Sequence, residues 1–506
     1  MMKGACLRMK QPSLKMLTRA FAWLCVLALV LSTLPLYAIA FYNHPYYDDF
    51  GFSAGVHQAW KETGSLLAVL SAARESAANT RATWQGTYTG TILSNLQPGL
   101  FSEDLYWIGN FVLLTALIVC MWVFFAVVFK QLGLARWARV SLCSLSLTLM
   151  IQFMPDVGEA FYWFNGGIGN TFIYSLLALA AALCVKLFGC KGRGIGLMMA
   201  LVVLMVLLGG GSYGGGLFAL CLCAVCLVWL FGKKHSKRWH FAALVALFLA
   251  CFVYSMAAPG NTVRANVIQY DGSAVKAVVQ SLYYGVALLG GYITLPLIAV
   301  TLVLLPALYE AASKSAYRFA HPWLVLGLGV CLYCTQLTPP LYSIAGIGAG
   351  RIENTYFISF IVLWFLYAYY LTGFVARRLE SVALPVLTPK RFGALVLVSL
   401  CLLGSGCLAF RRPGDVLYGV QNLSGPSALL SLLTGEAAQY DWEMTEREKL
   451  LNDETLPEIT LKPLSVTPAV FVDDLIVPDA VYDVRPSLCR YYGKELIRIE
   501  GEGDAQ

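Results

Sequence analysis

Asp48 and Asp49 are adjacent carboxylates in the run His44-Pro45-Tyr46-Tyr47-Asp48-Asp49-Phe50, directly after a long apolar segment. Carboxylates so placed offer two chemistries: a general base for an attacking hydroxyl, or oxygen ligands for a divalent cation. The plainer alternative is a solvated cap at a membrane interface, with the tyrosines as belt residues. A second group reads Asp156-Val157-Gly158-Glu159-Ala160-Phe161-Tyr162-Trp163-Phe164-Asn165. Glu159 is a further acid at membrane depth, where charge usually faces a cavity or a partner. Tyr162, Trp163 and Asn165 have the ring faces and the amide to stack on and hydrogen-bond a sugar. Trp84, in Arg81-Ala82-Thr83-Trp84-Gln85-Gly86, offers a similar rim. Arg264 follows the Pro259-Gly260 turn, and Arg351 and Glu353 open a late apolar run. An arginine fork donates two hydrogen bonds and keeps its charge, which suits a phosphate. The competing reading pairs either arginine internally with Glu159 or Glu353.

Membrane helices must position these groups. Of 506 residues 58% are hydrophobic and 13% charged, with a mean hydropathy of +0.67. Soluble domains carry about 25% charge, so a soluble globular protein is excluded, and disorder with it. Apolar runs predict eleven spans, near 21–42, 105–129, 140–154, 168–189, 195–210, 215–232, 240–257, 292–310, 322–338, 354–375 and 392–410. The first is too long for a cleaved signal and reads as a retained helix. With the N-terminus inside, residues 1–20 are cytoplasmic, and the inner loops hold 21 Lys and Arg against two acids, Glu310 and Glu380. The outer loops before residue 411 hold six basic and ten acidic residues. That asymmetry is the positive-inside pattern. It requires the apolar stretch 274–291 to lie at the interface rather than cross. The formal charge of +7 is thus spent on orientation, and no nucleic-acid partner is expected.

The unusual polar clusters all fall on the outer side, and the long first outer loop, 43–104, carries the Asp pair. The tail, 411–506, holds 17 of the 29 acids and is expected to be a small mixed α/β unit outside the membrane. Ile459–Leu464 and Ala469–Leu475 suggest strands, and 488–500 an amphipathic helix or strand. The glycine run Gly209–Gly216 lacks the Lys-Ser/Thr ending of a phosphate loop and reads as a helix turn. Cys331 and Cys334 read as a buried helical pair rather than a metal site. The span centres are almost free of charge, unlike a transporter with ionisable groups at the midplane.

Tyr47-Asp48-Asp49-Phe50, Phe161-Tyr162-Trp163-Phe164-Asn165-Gly166, Ala258-Pro259-Gly260-Asn261-Thr262-Val263-Arg264 and Arg490-Tyr491-Tyr492-Gly493 resemble a bacterial family called domain of unknown function 6056. The wider arrangement, with its Asp pair in the first outer loop over residues 21–410, resembles the GT-C superfamily of integral membrane glycosyltransferases. That resemblance implies a multi-pass protein of the bacterial cytoplasmic membrane. It implies transfer of a sugar from a polyprenyl-phosphate-linked donor to a surface glycan or polymer acceptor. It also implies an acidic base or cation ligand at Asp48 or Asp49, so a divalent cation is the one cofactor to expect. A transporter or flippase of lipid-linked glycan, a surface-polymer polymerase, and an assembly protein stand as alternatives.

Overall fold

The computed structural model describes residues 13–270, 272–379, 387–412, 419–478, 480 and 482–501. The expected inner-face residues Lys3, Arg8, Lys10 and Glu380 lie outside the described residues. The chain is an all-α polytopic membrane protein with two short strands in its tail. Among the described residues ten helices are long and apolar enough to cross a membrane. Leu14–Ile39 shows the local logic: Ser13 caps its first turn by accepting from the Met16 N–H, and a mainly apolar sequence from Ala20 carries it past Pro35 to Ile39. The expected spans at 140–154 and 195–210 form helices, Arg136–Gln152 and Ile195–Gly209, of 17 and 15 residues. Both fall short of the roughly 20 residues that a perpendicular crossing takes. The loop at Pro155 follows the first, and Gly194, in a left-handed conformation, precedes the second.

Ala274–Gly291 has the length and apolarity of a span. Gly272 packs against the Tyr342 carbonyl, and Tyr292 donates to Glu353, two residues from Arg351. The chain then crosses in Leu295–Ser313 and reaches the opposite, Arg-rich end, where Arg377 donates to the Ser315 carbonyl. The charge pattern calls for this helix to lie at the interface, while its length and apolarity also suit a crossing. Gly209–Gly216 is a helix turn: any side chain at Gly210 would strike the Tyr88 ring. Cys331 and Cys334 share a helix, but Cys331 is exposed on the bundle surface and only Cys334 is buried. The two lie about 60° apart around the helix, and on this peripheral helix the buried stripe ends between them.

The tail is built from helices Ser424–Thr434 and Glu436–Asn452, then Arg485–Tyr492, with parallel strands Glu458–Leu461 and Leu496–Ile499. The expected strand at 459–464 is present in shortened form, and 488–500 divides into the end of a helix and a strand. The expected strand at 469–475 is irregular instead. Its Asp474 receives Nη2 of Arg447 at 2.7 Å and the Leu464 and Ile476 N–H groups, which bends the segment around the carboxylate. Both side chains are about nine-tenths buried. Arg447→Ala is expected to destabilise the protein by about 3–5 kcal/mol, because it strands a buried carboxylate; the drop in melting temperature measures it.

The tail does not hang free. Phe50, Leu488, Tyr491, Tyr492, Ile497 and Ile499 form one apolar cluster, and the His57 ring stacks on Tyr491 at 4.1 Å. Ser424 and Gly425 bond the end of helix Arg136–Gln152. The tail is thereby pressed onto the helix Asp48–Thr63, which begins with the Asp pair.

Candidate functional site

Asp48 and Asp49 open a helix, where the exposed N–H groups favour negative charge. Tyr47, just before them, has φ 44°, a left-handed backbone that a tyrosine rarely adopts. Asp49 is fully buried. It accepts the Tyr106 hydroxyl at 2.5 Å and the Tyr46 and Asn165 N–H groups at 3.0 Å each. Burial pushes its carboxyl up to about 7, with the bonds from Tyr106, Tyr46 and Asn165 acting the other way. Its oxygens are committed to joining three segments. Asp48 is half-buried, and among the described residues its oxygens accept no hydrogen bond. Burial pushes it up to about 6, opposed by the charges of Arg351 and Arg264. Of the pair, Asp48 is the carboxylate available to a substrate.

Arg351 is held by Glu159, which accepts its backbone N–H at 2.5 Å and its Nη1 at 3.1 Å. Glu159 sits in a π-helical turn, Gly158–Tyr162, and a second such turn spans Ile168–Phe172. Such turns recur at functional sites because they push side chains out of helical register. Asp156 accepts the Glu159 N–H at 2.8 Å, while Asp156 and Asn354 exchange bonds of 2.9 and 2.6 Å. This fixes the start of helix Gly350–Arg378 against the π turns. The Arg351 guanidinium lies 4.8 Å over the Trp163 ring. Of the two internal partners considered for the arginines, Glu159 is the one used. Glu353 contacts neither arginine and accepts the Tyr292 hydroxyl at 3.2 Å.

Arg264 has a different setting. It lies 5.1 Å over the Trp84 ring and donates to the Gln85 amide oxygen at 2.9 Å. Among the described residues it has no carboxylate in ion-pair contact. Burial lowers its pKa, and the charge of Arg351 acts in the same direction. Its position depends on a close crossing of two segments. Asn261 accepts the Gly86 N–H and the Tyr213 hydroxyl, and Ser255 donates to the Gly86 carbonyl. A Cβ at Gly86 would overlap the Ser255 carbonyl oxygen. Gly86→Ala is expected to cost at least about 1–3 kcal/mol, the usual range for overpacking, read as a lower melting temperature.

The fold therefore gathers Asp48, Asp49, Glu159, Arg264, Arg351, Trp84, Trp163 and Asn165 from four separate segments. Two expected residues stand elsewhere. Glu353 joins a tyrosine cluster, and Tyr162 is buried, with its hydroxyl donating to the Leu36 carbonyl at 2.7 Å and its ring against Phe471. Trp163 is 4% exposed and serves as the bed for Arg351, whereas Trp84 is 38% exposed. The Asn165 amide oxygen and nitrogen and the Trp163 indole N–H are buried without hydrogen-bond partners. Orphaned polar atoms of this kind require an explanation, and a polar ligand supplies one. Sequence reasoning did not assign roles to Tyr106, Asp156, Asn261 or Asn354. Their signal was a polar residue at the end of an apolar run, which is common in membrane proteins.

The Asp pair was the candidate cation ligand. Among the described residues one group of three potential ligands has its donor atoms within 4.8 Å of one another, and it is His44, Glu103 and Glu448. Neither aspartate belongs to it. No family model, curated protein or solved structure matches this chain.

Proposed function

We propose that this chain is a glycosyltransferase that moves a sugar from a polyprenyl-phosphate carrier to a cell-surface glycan or polymer. The reading places it at the outer face of a bacterial cytoplasmic membrane. One observation carries it: the half-buried carboxylate Asp48 accepts no hydrogen bond among the described residues and feels the charges of Arg351 and Arg264, and among the described residues Arg264 has no carboxylate partner. The resemblance to the GT-C superfamily gives that arrangement its chemistry.

The acceptor hydroxyl oxygen attacks the anomeric carbon of the donor sugar. The bond from that carbon to the phosphate oxygen breaks, and the carrier phosphate leaves with the electron pair. Asp48 takes the hydroxyl proton, and Arg264 and Arg351 hold the growing negative charge of the phosphate. Asp49 positions this helix start through Tyr106 and Asn165. The unpartnered Asn165 amide and the half-exposed Trp84 ring are the sugar contacts.

The deciding experiment supplies purified protein in vesicles with polyprenyl-phosphate sugar labelled in the sugar and with extracted surface glycan. Label passing to the glycan is the expected result. Label that crosses the vesicle still bonded to its carrier would make the chain a flippase.

A further inference from the structure

A second cluster of ionisable groups lies outside this site, where the first outer loop meets the tail. His44 precedes the Asp pair by four residues, Glu103 stands before helix Trp107–Gln131, and Glu448 projects from the tail helix Glu436–Asn452. We infer that His44 Nδ1, Glu103 and Glu448 bind one divalent transition cation of the zinc class, which clamps the tail to the loop that carries Asp48.

The outer partners are already in place. His44 Nε2 lies 2.9 Å from Asp441 Oδ1. A proton on Nε2 donated to that carboxylate leaves a lone pair on Nδ1, the usual carboxylate–histidine–metal arrangement. The His44 side chain is only 9% exposed, and Nδ1 has no hydrogen-bond partner. It points at Glu103 Oε2, 3.9 Å away. Glu103 Oε1 is occupied by the Tyr492 hydroxyl, so Oε2 is the oxygen left for a ligand. One ring nitrogen of His44 and one oxygen from each of Glu103 and Glu448 lie within 4.8 Å of one another. Neighbouring donors around a tetrahedral cation with ~2.1 Å bonds sit about 3.4 Å apart. Small rotations of Glu103 and of half-buried Glu448 close the difference. One nitrogen and two carboxylate oxygens favour zinc or its neighbours over magnesium, and three protein ligands leave one position for water. A cleft of about 450 Å³ lined by His57, Lys61, Glu103, Glu448 and Tyr492 gives a cation its way in.

The site stands independently of the transferase reading, and its test measures binding rather than turnover. Purified full-length protein is stripped with a chelator, then titrated with buffered Zn²⁺ and, separately, Mg²⁺. Bound metal is counted by mass spectrometry, and the melting temperature is recorded alongside. One zinc per chain, a raised melting temperature and far weaker binding of magnesium are expected. Glu448→Gln should remove the binding while the stripped variant melts as the stripped wild type does, since this residue is half-exposed. Asp441→Asn should weaken zinc by about 10–100-fold, the usual effect of losing an outer-shell partner. Asp48→Asn should bind zinc as the wild type does. No bound zinc in the wild type, with a proton on Nδ1 as the occupant, overturns the inference. So does zinc binding that Glu448→Gln leaves undiminished, or that Asp48→Asn abolishes.

Discussion

Asp48→Asn is expected to slow sugar transfer by about 10²–10⁴, the range for a lost general base, with little change in melting temperature. Its carboxyl oxygens accept no hydrogen bond among the described residues, so the amide leaves no donor unpaired. Asp49→Asn should behave differently. That carboxylate serves the Tyr106 hydroxyl and two backbone N–H groups in a fully buried position. An amide has one acceptor oxygen for these three donors and adds two donors of its own. A stability loss of about 1–3 kcal/mol per stranded group is expected, with activity falling as the helix start shifts. The pH profile gives a further check on Asp48. Burial raises its carboxyl to about 6, and only the ionised form takes a proton. Transfer by the wild type should therefore rise as pH increases through about 6, and the adjacent Asp49, which burial pushes up to about 7, extends that rise toward pH 7. Glu159, Arg264 and Arg351 face the same space.

The arginines should separate in the same assay. Arg264→Lys is expected to weaken carrier binding by roughly 10–100-fold, about 1.5–3 kcal/mol for a charged hydrogen-bond partner, with folding intact. Lysine keeps the charge but loses the two-pronged donor geometry and the flat contact with Trp84. Arg351 also carries an internal load, because Glu159 accepts both its N–H and its Nη1. Arg351→Ala should lower the melting temperature as well as the affinity, and Arg351→Lys should restore more of the first than of the second. Unchanged carrier affinity with lowered stability at both positions would remove the phosphate role. The proposal would then rest on Asp48 alone.

The membrane class was plain from the sequence because spans are written as unbroken apolar runs, and lipid leaves the backbone few alternatives to helix. Counting Lys and Arg places Ala274–Gly291 at the interface, whereas its length and apolarity alone suggest a crossing. The tail was less legible. Its segment 469–475 has strand-like composition, but the ion pair of Arg447 with Asp474 shapes it, and that contact spans 27 residues. At the site, residue type singled out Asp48, Asp49, Glu159, Arg264, Arg351 and Trp84, which the fold brings together, but also Glu353, which pairs with Tyr292 instead. It misplaced Tyr162, because an aromatic beside Trp163 in sequence looks equally suited to a sugar. The π turn at Gly158–Tyr162 sends that ring inward. No local pattern announces such a turn, and none shows that Asp49 is consumed by Tyr106, 57 residues away.

The most direct test of sugar transfer is a single-turnover measurement of carrier phosphate released from a polyprenyl-phosphate sugar. Wild type, Asp48→Asn and Arg264→Ala are compared at protein concentrations above the donor. The account predicts release by wild type. It predicts bound but uncleaved donor with Asp48→Asn, and weakened donor binding with Arg264→Ala. Equal release by wild type and Asp48→Asn, or bound donor that wild type never cleaves in the presence of acceptor glycan, would contradict it.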